Sequence, residues 1–426
     1  MQVSVFRGFF VILQVMNYQT HTLRCGLRVI LLRDASPVVY CGYGINAGSR
    51  DEAPGDEGLA HFCEHVSFKG TRRRRASNVL NSLERVGGDL NAFTNKEDTV
   101  YYAALLRQHL PRAVDLLTDI VFHSVYPQAE IDREVEVIAD EIESYNDSPA
   151  ELIYDDFDHL LFGDHPLGHP VLGSADRLRQ LTTADALRFT RQHYTADNMA
   201  FFAYGDIDFQ RLVNLLEKAT ADLPDAAPRM PDLDTAVIPL PEVAAGTHEQ
   251  HRGTHQAHVM LGCRAYGIHS EHRLPLYLLN NILGGPAMSA RLNVALRERR
   301  GLVYTVESTM VNYSDTGAWS VYFGCDHQHV GRCLRLVKGE LARMTTHPLT
   351  PHQVAAAKRQ LKGQIALACD GREGFALSFA KSFLHYGWER DIEKLYAHID
   401  EITPAQLQTV AAELFDPARL TTLIYD

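Results

Sequence analysis

The chain has 426 residues, of which 46% are hydrophobic and 22% charged, the composition of a folded globular protein that is long enough for two hydrophobic cores. Its formal net charge of -12 argues against a nucleic-acid partner, because binding to phosphates requires clustered lysine and arginine. No apolar run approaches the roughly 18 residues that a membrane span requires, so none is expected.

The seven cysteines are odd in number and scattered, without a C-x-x-C pair, which argues against a disulfide framework. The apolar stretch from Phe9 to Leu13 follows a single Arg7 and precedes no small-residue cleavage site. We interpret it as an extension ahead of a start near Met16. The expected location is therefore the cytoplasm rather than the periplasm or the exterior.

Strand and helix patterns alternate in the first part of the chain. Two β-rich runs, LRVILL and VVYCGYGI, flank the turn sequence Asp34 to Pro37, which predicts a hairpin. Helical patterns follow over residues 58–69 and 76–86, then a strand that runs into a helix over residues 99–121, and another helix over residues 129–145. This mixture predicts an α+β fold.

A long internal repeat sets the domain organisation. Residues 181–204 match residues 402–425 at a constant offset of 221, and residues 99–121 match residues 318–341 at an offset near 220. We therefore predict two homologous domains, each a mostly antiparallel sheet with helices packed on one face. The first covers residues 1–225 and the second residues 251–426. The proline-rich segment 226–250 is the predicted linker.

The helix predicted over residues 58–69 has two opposite faces. His61, Glu64 and His65 share one face, because residues three and four apart on a helix are neighbours. The opposite face is apolar and is predicted to pack in the core; it carries Leu59, Phe62, Cys63 and Val66. The polar side chains therefore converge while the other face anchors the helix.

Two imidazoles four residues apart on a helix can reach one Zn²⁺, and Glu64, directly before His65, can act as the general base on the zinc-bound water. The order H-x-x-E-H is the inverse of the common zinc-peptidase motif and is the inverzincin signature. The alternative is a chance pair at the surface, since the chain has 21 histidines.

A third ligand is expected from the acidic helix over residues 129–145. Glu134 and Glu141 are seven residues apart and lie nearly on one line of that helix. Most of the acids on this helix are expected to form a solvated face, and spacing alone does not decide which one turns inward. A second group of histidines is predicted to consist of strand or surface residues rather than metal ligands; it comprises His248, His251, His255 and His258.

With HFCEH at residues 61–65 followed by Glu134 and Glu141, the chain resembles the family of pitrilysin, insulin-degrading enzyme and mitochondrial processing peptidase. The resemblance extends to NAFT at residues 91–94, to HPLGHPVLG at residues 165–173 and to the block at residues 283–306. It covers nearly the whole chain in order and points to a short, two-domain member of bacterial type.

The resemblance implies a site and an activity. His61, His65 and Glu141 would bind one zinc ion per chain, Glu64 would be the general base, and Glu134 would hold a ligating histidine in place. Substrate contacts would come from Arg297 and Tyr304 and from the strand Asn91, Ala92, Phe93 and Thr94. The implied activity is that of a zinc-dependent endopeptidase which hydrolyses extended, unfolded peptides inside a dimeric clam-shell chamber.

The resemblance leaves the partner open between a second copy of this chain, giving a homodimer, and a related chain, giving a heterodimer. Two other classes of function are alternatives. A non-catalytic partner is disfavoured by the intact motif, and a metal-dependent hydrolase of non-peptide substrates has no supporting feature in the sequence.

Overall fold

A computed structural model describes residues 17–229, 239–242 and 245–426. The extension before Met16, which includes Phe9 to Leu13, and much of the predicted linker lie outside the described residues. Within the described residues, no helix is both long and apolar enough to cross a membrane.

The first half of the chain builds a six-stranded sheet with the strand order β1-β2-β6-β3-β5-β4. Its strands are β1 (Tyr18–Thr22), β2 (Arg28–Arg33), β3 (Val38–Ile45), β4 (Asp89–Thr94), β5 (Thr99–Leu106) and β6 (Met199–Gly205). Its helices are α1 (Leu59–Ser67), α2 (Ala76–Glu84), α3 (Leu110–His123), α4 (Gln128–Asn146), α5 (Pro149–Phe162), α6 (Ala175–Leu178), α7 (Thr183–His193) and α8 (Phe209–Ala219). All strand pairs are antiparallel except β2 with β6.

The second half builds a five-stranded sheet with the strand order β7-β11-β8-β10-β9. Its strands are β7 (Thr247–Gln250), β8 (Ala257–Ala265), β9 (Val303–Asn312), β10 (Gly317–Cys325) and β11 (Thr421–Tyr425). Its helices are α9 (Arg273–Gly284), α10 (Val330–Thr346), α11 (Pro351–Asp370), α12 (Arg372–Tyr386), α13 (Ile392–Glu401) and α14 (Pro404–Leu414), and a π-helical segment spans Asn293–Glu298. Here too a single strand pair is parallel, β7 with β11.

The two halves repeat one topology, which confirms the predicted α+β fold of two homologous domains. β6 and β11 occupy equivalent places: β6 lies between β2 and β3, and β11 lies between β7 and β8, each parallel to the first of these strands and antiparallel to the second. The helices before them, α7 and α14, begin in the same way. Thr182 and Asp185 form a reciprocal capping box at one, and Thr403 and Gln406 form it at the other. The repeat in the sequence is therefore a repeat of strand order and helix capping.

The predicted hairpin between β2 and β3 is wrong. β6 inserts between these two strands and pairs in parallel with β2 and antiparallel with β3. Both β2 and β3 are buried on both faces, and both are long enough to pair with a central strand. The local sequence therefore does not show whether the two strands are adjacent or separated by a third. The turn from Asp34 to Pro37 thus crosses over one intervening strand.

Each sheet is covered on its second face by a helix of the other half. α12 packs on β3 and β6, where Phe379 and Phe383 share a core with Ile30 and Phe202. In return, α5 packs on β8 and β11, where Phe157 joins a core with residues of the second sheet. The halves therefore exchange equivalent helices across their junction.

The boundary of the second half lies earlier than residue 251. β7 begins at Thr247, inside the range predicted as a linker, and Thr422 of β11 pairs with it. At the other end of the predicted linker, the chain still contacts the first half, since the amide of Ala226 donates to the carbonyl of Arg24 at 3.1 Å.

Candidate metal centre

Helix α1, which carries the predicted motif, is fixed by burial of its apolar face and by hydrogen bonds at its N-terminus. Its apolar face is fully buried, with Leu59, Phe62, Cys63 and Val66 at most 1% exposed, as the sequence predicted. The helix begins after Gly58, whose φ of 92° lies in the left-handed region that favours glycine. The carboxylate of Glu52 accepts hydrogen bonds from the amides of Gly58 and Ala60 at 3.1 and 2.7 Å, which satisfies donors at the helix N-terminus.

The structure brings His61, His65 and Glu141 together. One donor atom from each of these residues lies within 4.8 Å of the others. His65 Nε2 is 3.5 Å from Glu141 Oε2, and His61 Nε2 is 4.0 Å from Glu141 Oε1. Glu141 comes from α4, which packs against α1. Of the acids on α4, Glu134 is buried beside His65, and Glu141, with its side chain about half exposed, is the one that lies within reach of both histidines.

His61 is held as a neutral imidazole. Burial, with a smaller contribution from the nearby His65, lowers its pKa to about 3. No described residue forms a hydrogen bond with either nitrogen of its ring, and Nδ1 is buried without a partner. Buried polar atoms are usually paired, so this ring has bonding capacity that the protein itself does not use.

Glu134 fixes the orientation of His65. The carboxylate Oε1 lies 3.1 Å from His65 Nδ1, and Oε2 lies 2.6 Å from the ammonium of Lys69. Burial alone would raise the pKa of Glu134, but the bonds to His65 and Lys69 hold it below its ordinary value. Nδ1 is thereby engaged, which leaves Nε2 of His65 facing Glu141.

Glu64 lies beside this cluster with its own hydrogen bond. Its side chain is buried, and Thr94 Oγ1 donates to Glu64 Oε2 at 2.6 Å. Burial raises the pKa of Glu64, and the bond from Thr94 partly offsets this effect. A buried carboxylate with a raised pKa is a suitable proton acceptor at neutral pH.

The chemistry of the cluster fits a zinc ion. Two imidazoles and one carboxylate are a donor set found in catalytic zinc sites, where metal–donor distances are about 2.0–2.2 Å. A carboxylate that holds the far nitrogen of a ligating histidine is the usual companion of such a set, and Glu134 occupies that place. His61, His65 and Glu141 could therefore hold the metal.

The strand predicted to meet the substrate lies at a sheet edge. Asn91 to Thr94 belong to β4, the last strand of the first sheet, which pairs on one side with β5. β4 also packs beside α1. An extended chain could add to its free edge next to the candidate metal centre.

Arg297 and Tyr304 lie elsewhere, in the second half. Arg297 is in the π-helical segment, and Tyr304 is at the start of β9 with 89% of its surface exposed. Both line a cleft of about 540 Å³ together with Tyr277 and Met288. None of the three cluster residues His61, His65 and Glu141 is among the residues that line this cleft.

Two contacts of the site were missed in the sequence. Lys69 pairs with Glu134, and the hydroxyl of Thr94 binds Glu64. Lys69 lies just beyond the end of α1 and Glu134 lies on α4, so the first contact had no signal from helical spacing. The second joins residues 30 apart on different elements and had no local signal.

The second histidine group forms no metal site. His258 Nδ1 lies 2.8 Å from the hydroxyl of Tyr322, and His251 Nδ1 lies 2.5 Å from Asp426. Over the described part of the chain, the set of His61, His65 and Glu141 is the one group with metal-binding geometry.

The chain thus has a duplicated α+β fold whose first copy carries a cluster that could hold a metal ion. The family described as Insulinase (Peptidase family M16) matches residues 28–175, and the one described as Peptidase M16 inactive domain matches residues 180–361. The chain belongs to peptidase family M16. The resemblance identified in the sequence is thus confirmed.

Relatives of similar length extend the match over almost the whole chain. An uncharacterized zinc protease of Streptomyces coelicolor is 35% identical over 402 residues, covering 92% of this chain and 86% of that protein. An uncharacterized zinc protease of Bacillus subtilis is 30% identical over 396 residues, covering 93% and 95% of the respective chains.

Two crystal structures share the fold. A protease from Helicobacter pylori superposes with a TM-score of 0.86 at 22% identity, covering 97% of this chain and 100% of that chain. A peptidase M16 inactive domain from Pseudomonas fluorescens superposes with the same TM-score at 19% identity, covering 96% and 98% of the two chains.

Proposed function

We propose that the protein is a zinc-dependent endopeptidase that hydrolyses extended, unfolded peptides. The observation that carries the proposal is the convergence of His61, His65 and Glu141 within 4.8 Å, beside the buried carboxylate of Glu64. Membership of a peptidase family and relatives named zinc proteases support it.

His61, His65 and Glu141 would hold one zinc ion per chain. Zinc supplies a Lewis acid that activates water and polarises a carbonyl group. His61 is suited to this role because burial keeps its imidazole neutral. Glu134 would keep His65 in the orientation that directs Nε2 at the metal, since it engages Nδ1.

Glu64 would act as the general base. It shares a helical face with both histidines, so its carboxylate is carried to the same side of α1. It would take a proton from the attacking water and pass it to the leaving amine. Its burial excludes bulk water from the carboxylate and strengthens its electrostatic interaction with the reacting groups.

The substrate would bind as an added strand. Main-chain hydrogen bonds along residues 91–94 of β4 would hold a peptide in extended form. In this binding mode the affinity comes mainly from the peptide backbone and less from its side chains. Folded proteins have few free extended segments, so flexible peptides are the expected substrates.

Arg297 and Tyr304 would contact substrate in a clam-shell assembly of two chains. Both side chains are exposed and line a cleft of the second half. Because none of the three cluster residues lines that cleft, we expect Arg297 and Tyr304 to contact a substrate bound at the site of another chain. A second copy is the simplest partner, because one chain carries both groups; a heterodimer with a related chain is the alternative. The seven free cysteines favour the cytoplasm.

Substitution of the general base tests the activity. Glu64→Gln should retain stoichiometric zinc and lose peptide cleavage by about 10² or more, since amide nitrogen does not accept the proton. Glu143→Gln, at an exposed position of α4, is the matched control. Cleavage of a peptide library and bound metal are measured with and without a chelator. Undiminished cleavage by Glu64→Gln contradicts the assignment of the base.

Mixing of subunits tests the shared site. Glu64→Gln and Tyr304→Phe chains should each be weakly active alone, and their mixture should recover activity if the base of one chain works with the tyrosine of the other. One of the two sites in such a mixed dimer is intact. No recovery on mixing contradicts the arrangement in trans.

A further inference from the structure

The carboxylate of the proposed base is held by one side chain. Thr94 Oγ1 lies 2.6 Å from Glu64 Oε2, and Glu64 is only 7% exposed. Among the described residues, no other hydrogen bond to this carboxylate is formed. The orientation of Glu64 therefore depends on the Thr94 hydroxyl to an unusual degree for a buried charged group.

The hydroxyl is presented from a rigid piece of backbone. Thr94 is the last residue of β4 and pairs with Thr99 of β5. The turn that follows is closed by the amide of Asn95, which donates to the carbonyl of Asp98 at 2.8 Å. The carbonyl of Asn95 in turn accepts from the amide of Ser49 at 3.1 Å. Both sides of Thr94 are thus fixed, so its hydroxyl has a defined position relative to α1.

The hydroxyl has a single proton to donate. Because that proton is committed to Glu64, the Thr94 side chain is not free to donate to a peptide added at the edge of β4. The main-chain groups of β4 that face away from β5 remain for that purpose. The role of the Thr94 side chain is therefore separable from that of the strand.

We propose that Thr94 is a positioning residue for the general base, an inference that rests on the proposed function. Its hydroxyl holds Oε2 of Glu64, so Oε1 is the oxygen that takes the proton from water. Since Thr94 ends the strand to which substrate adds, the strand that aligns the peptide also aligns the base.

The test compares Thr94→Val with Thr94→Ser. Valine keeps the branched shape of threonine and removes the hydroxyl, whereas serine keeps the hydroxyl. Thr94→Val should lower kcat by about tenfold to a hundredfold with little change in KM, as expected for a misplaced catalytic group. Thr94→Ser should recover most of kcat. Bound zinc and thermal unfolding are measured for each variant.

Thr99→Val is the matched control, because its hydroxyl donates to the carbonyl of Ala47 and not to Glu64. It should leave kcat near that of the wild type. If Thr94→Val folds poorly, Thr94→Ala replaces it against the same serine variant.

Crystal structures of the zinc-loaded variants provide a readout that does not depend on activity. The Glu64 carboxylate should be displaced in Thr94→Val and in its wild-type position in Thr94→Ser. If the wild type cleaves no peptide, the proposed function fails while the positions of Glu64 still decide the inference. An unchanged Glu64 position in Thr94→Val overturns the inference. A rise in KM at constant kcat, or an equal loss of kcat in both variants, also overturns it.

Discussion

At the scale of single residues, the site separates residues that could bind metal from residues that hold them. The ring of His61 has no hydrogen-bond partner among the described residues, so the position of the ring depends on how α1 packs. His65 is fixed through Glu134, which is itself fixed by Lys69. The two histidines of one motif are thus supported in different ways. Only the orientation of His65 can be changed by a substitution at a residue that is not itself a candidate metal ligand.

Glu134→Gln should weaken zinc binding by about 10- to 100-fold, because the neutral amide holds the far nitrogen of His65 less strongly. The carboxylate is 3.1 Å from His65 Nδ1, whereas Glu130 on the same helix pairs with the exposed Arg133. Glu130→Gln is therefore the control. Competition with a chromophoric chelator measures the affinity. Equal affinity of Glu134→Gln and wild type would show that the bond does not orient the ligand.

At the scale of elements, the start of α1 is a close backbone contact. Gly58 meets the loop before α6, where an added Cβ would lie 2.7 Å from the carbonyl oxygen of Leu172 and 2.9 Å from Gly173 Cα. Its φ of 92° disfavours any side chain in addition. The loop at residues 165–173, matched to the family in the sequence, is thus the support against which α1 begins.

Gly58→Ala should destabilise the protein by about 2–3 kcal/mol, since backbone strain and a clash with main-chain atoms add. Gly55→Ala is a matched control, because Gly55 has a φ of 90° with no atom within 4 Å of an added Cβ. It should cost about 1 kcal/mol from backbone strain alone. Denaturant unfolding of both variants measures the difference. If both variants lose the same free energy of unfolding, the backbone at Leu172 moves away from the added Cβ at little cost.

The elements show where sequence was sufficient. The faces of α1 followed from helical spacing, and the repeat predicted the equivalence of α7 with α14, because both signals are local or periodic. The insertion of β6 between β2 and β3 is a pairing of residues about 170 apart, which no local pattern encodes. Which acid of α4 lies near both histidines likewise depends on how α4 packs on α1. The contact between Thr94 and Glu64 depends on where β4 lies relative to α1.

At the scale of the whole molecule, the turn after β4 is bound by helix α12 of the second half. Asp98 Oδ1 lies 2.9 Å from Lys381 Nζ and 3.5 Å from His385 Nε2, both on α12. Asp98 is 2% exposed. Burial alone would raise the pKa of Asp98, but the bond from His385 and the charge of Lys381 lower it to about 2. This ion pair joins the strand that carries Thr94 to the other half.

Asp98→Asn should lower the free energy of unfolding at pH 7 by about 2 kcal/mol, the equivalent of the pKa shift from 3.8 to about 2. Because the folded-state pKa is depressed, this contribution is complete above pH 3.8 and is lost as the pH falls toward about 2. The stability difference between wild type and variant should therefore shrink below pH 4. Asp176→Asn, with a side chain 98% exposed beside Arg179, should change stability by about 0.5 kcal/mol or less. A difference that is constant with pH would exclude the ion pair as its cause.

The exchange of α5 and α12 makes each half depend on the other. Without α12, the first sheet would expose a face that carries Ile30, Leu32, Val100, Tyr102 and Phe202, all buried in the complete chain. At about 1.5–3 kcal/mol for each large side chain, that face contributes roughly 10 kcal/mol, which is comparable to the whole stability of a typical domain.

Residues 1–229 expressed alone should therefore fail to form a cooperatively unfolding domain, even though they contain the complete metal cluster. Co-expression with residues 230–426 as a separate chain should restore both thermal unfolding and zinc binding, because helix exchange needs contact between the halves and not chain continuity. Differential scanning calorimetry and metal analysis of the isolated and paired fragments measure this. A first half that unfolds cooperatively and binds zinc alone would show that α12 is dispensable, and that the junction only orients two independently stable domains.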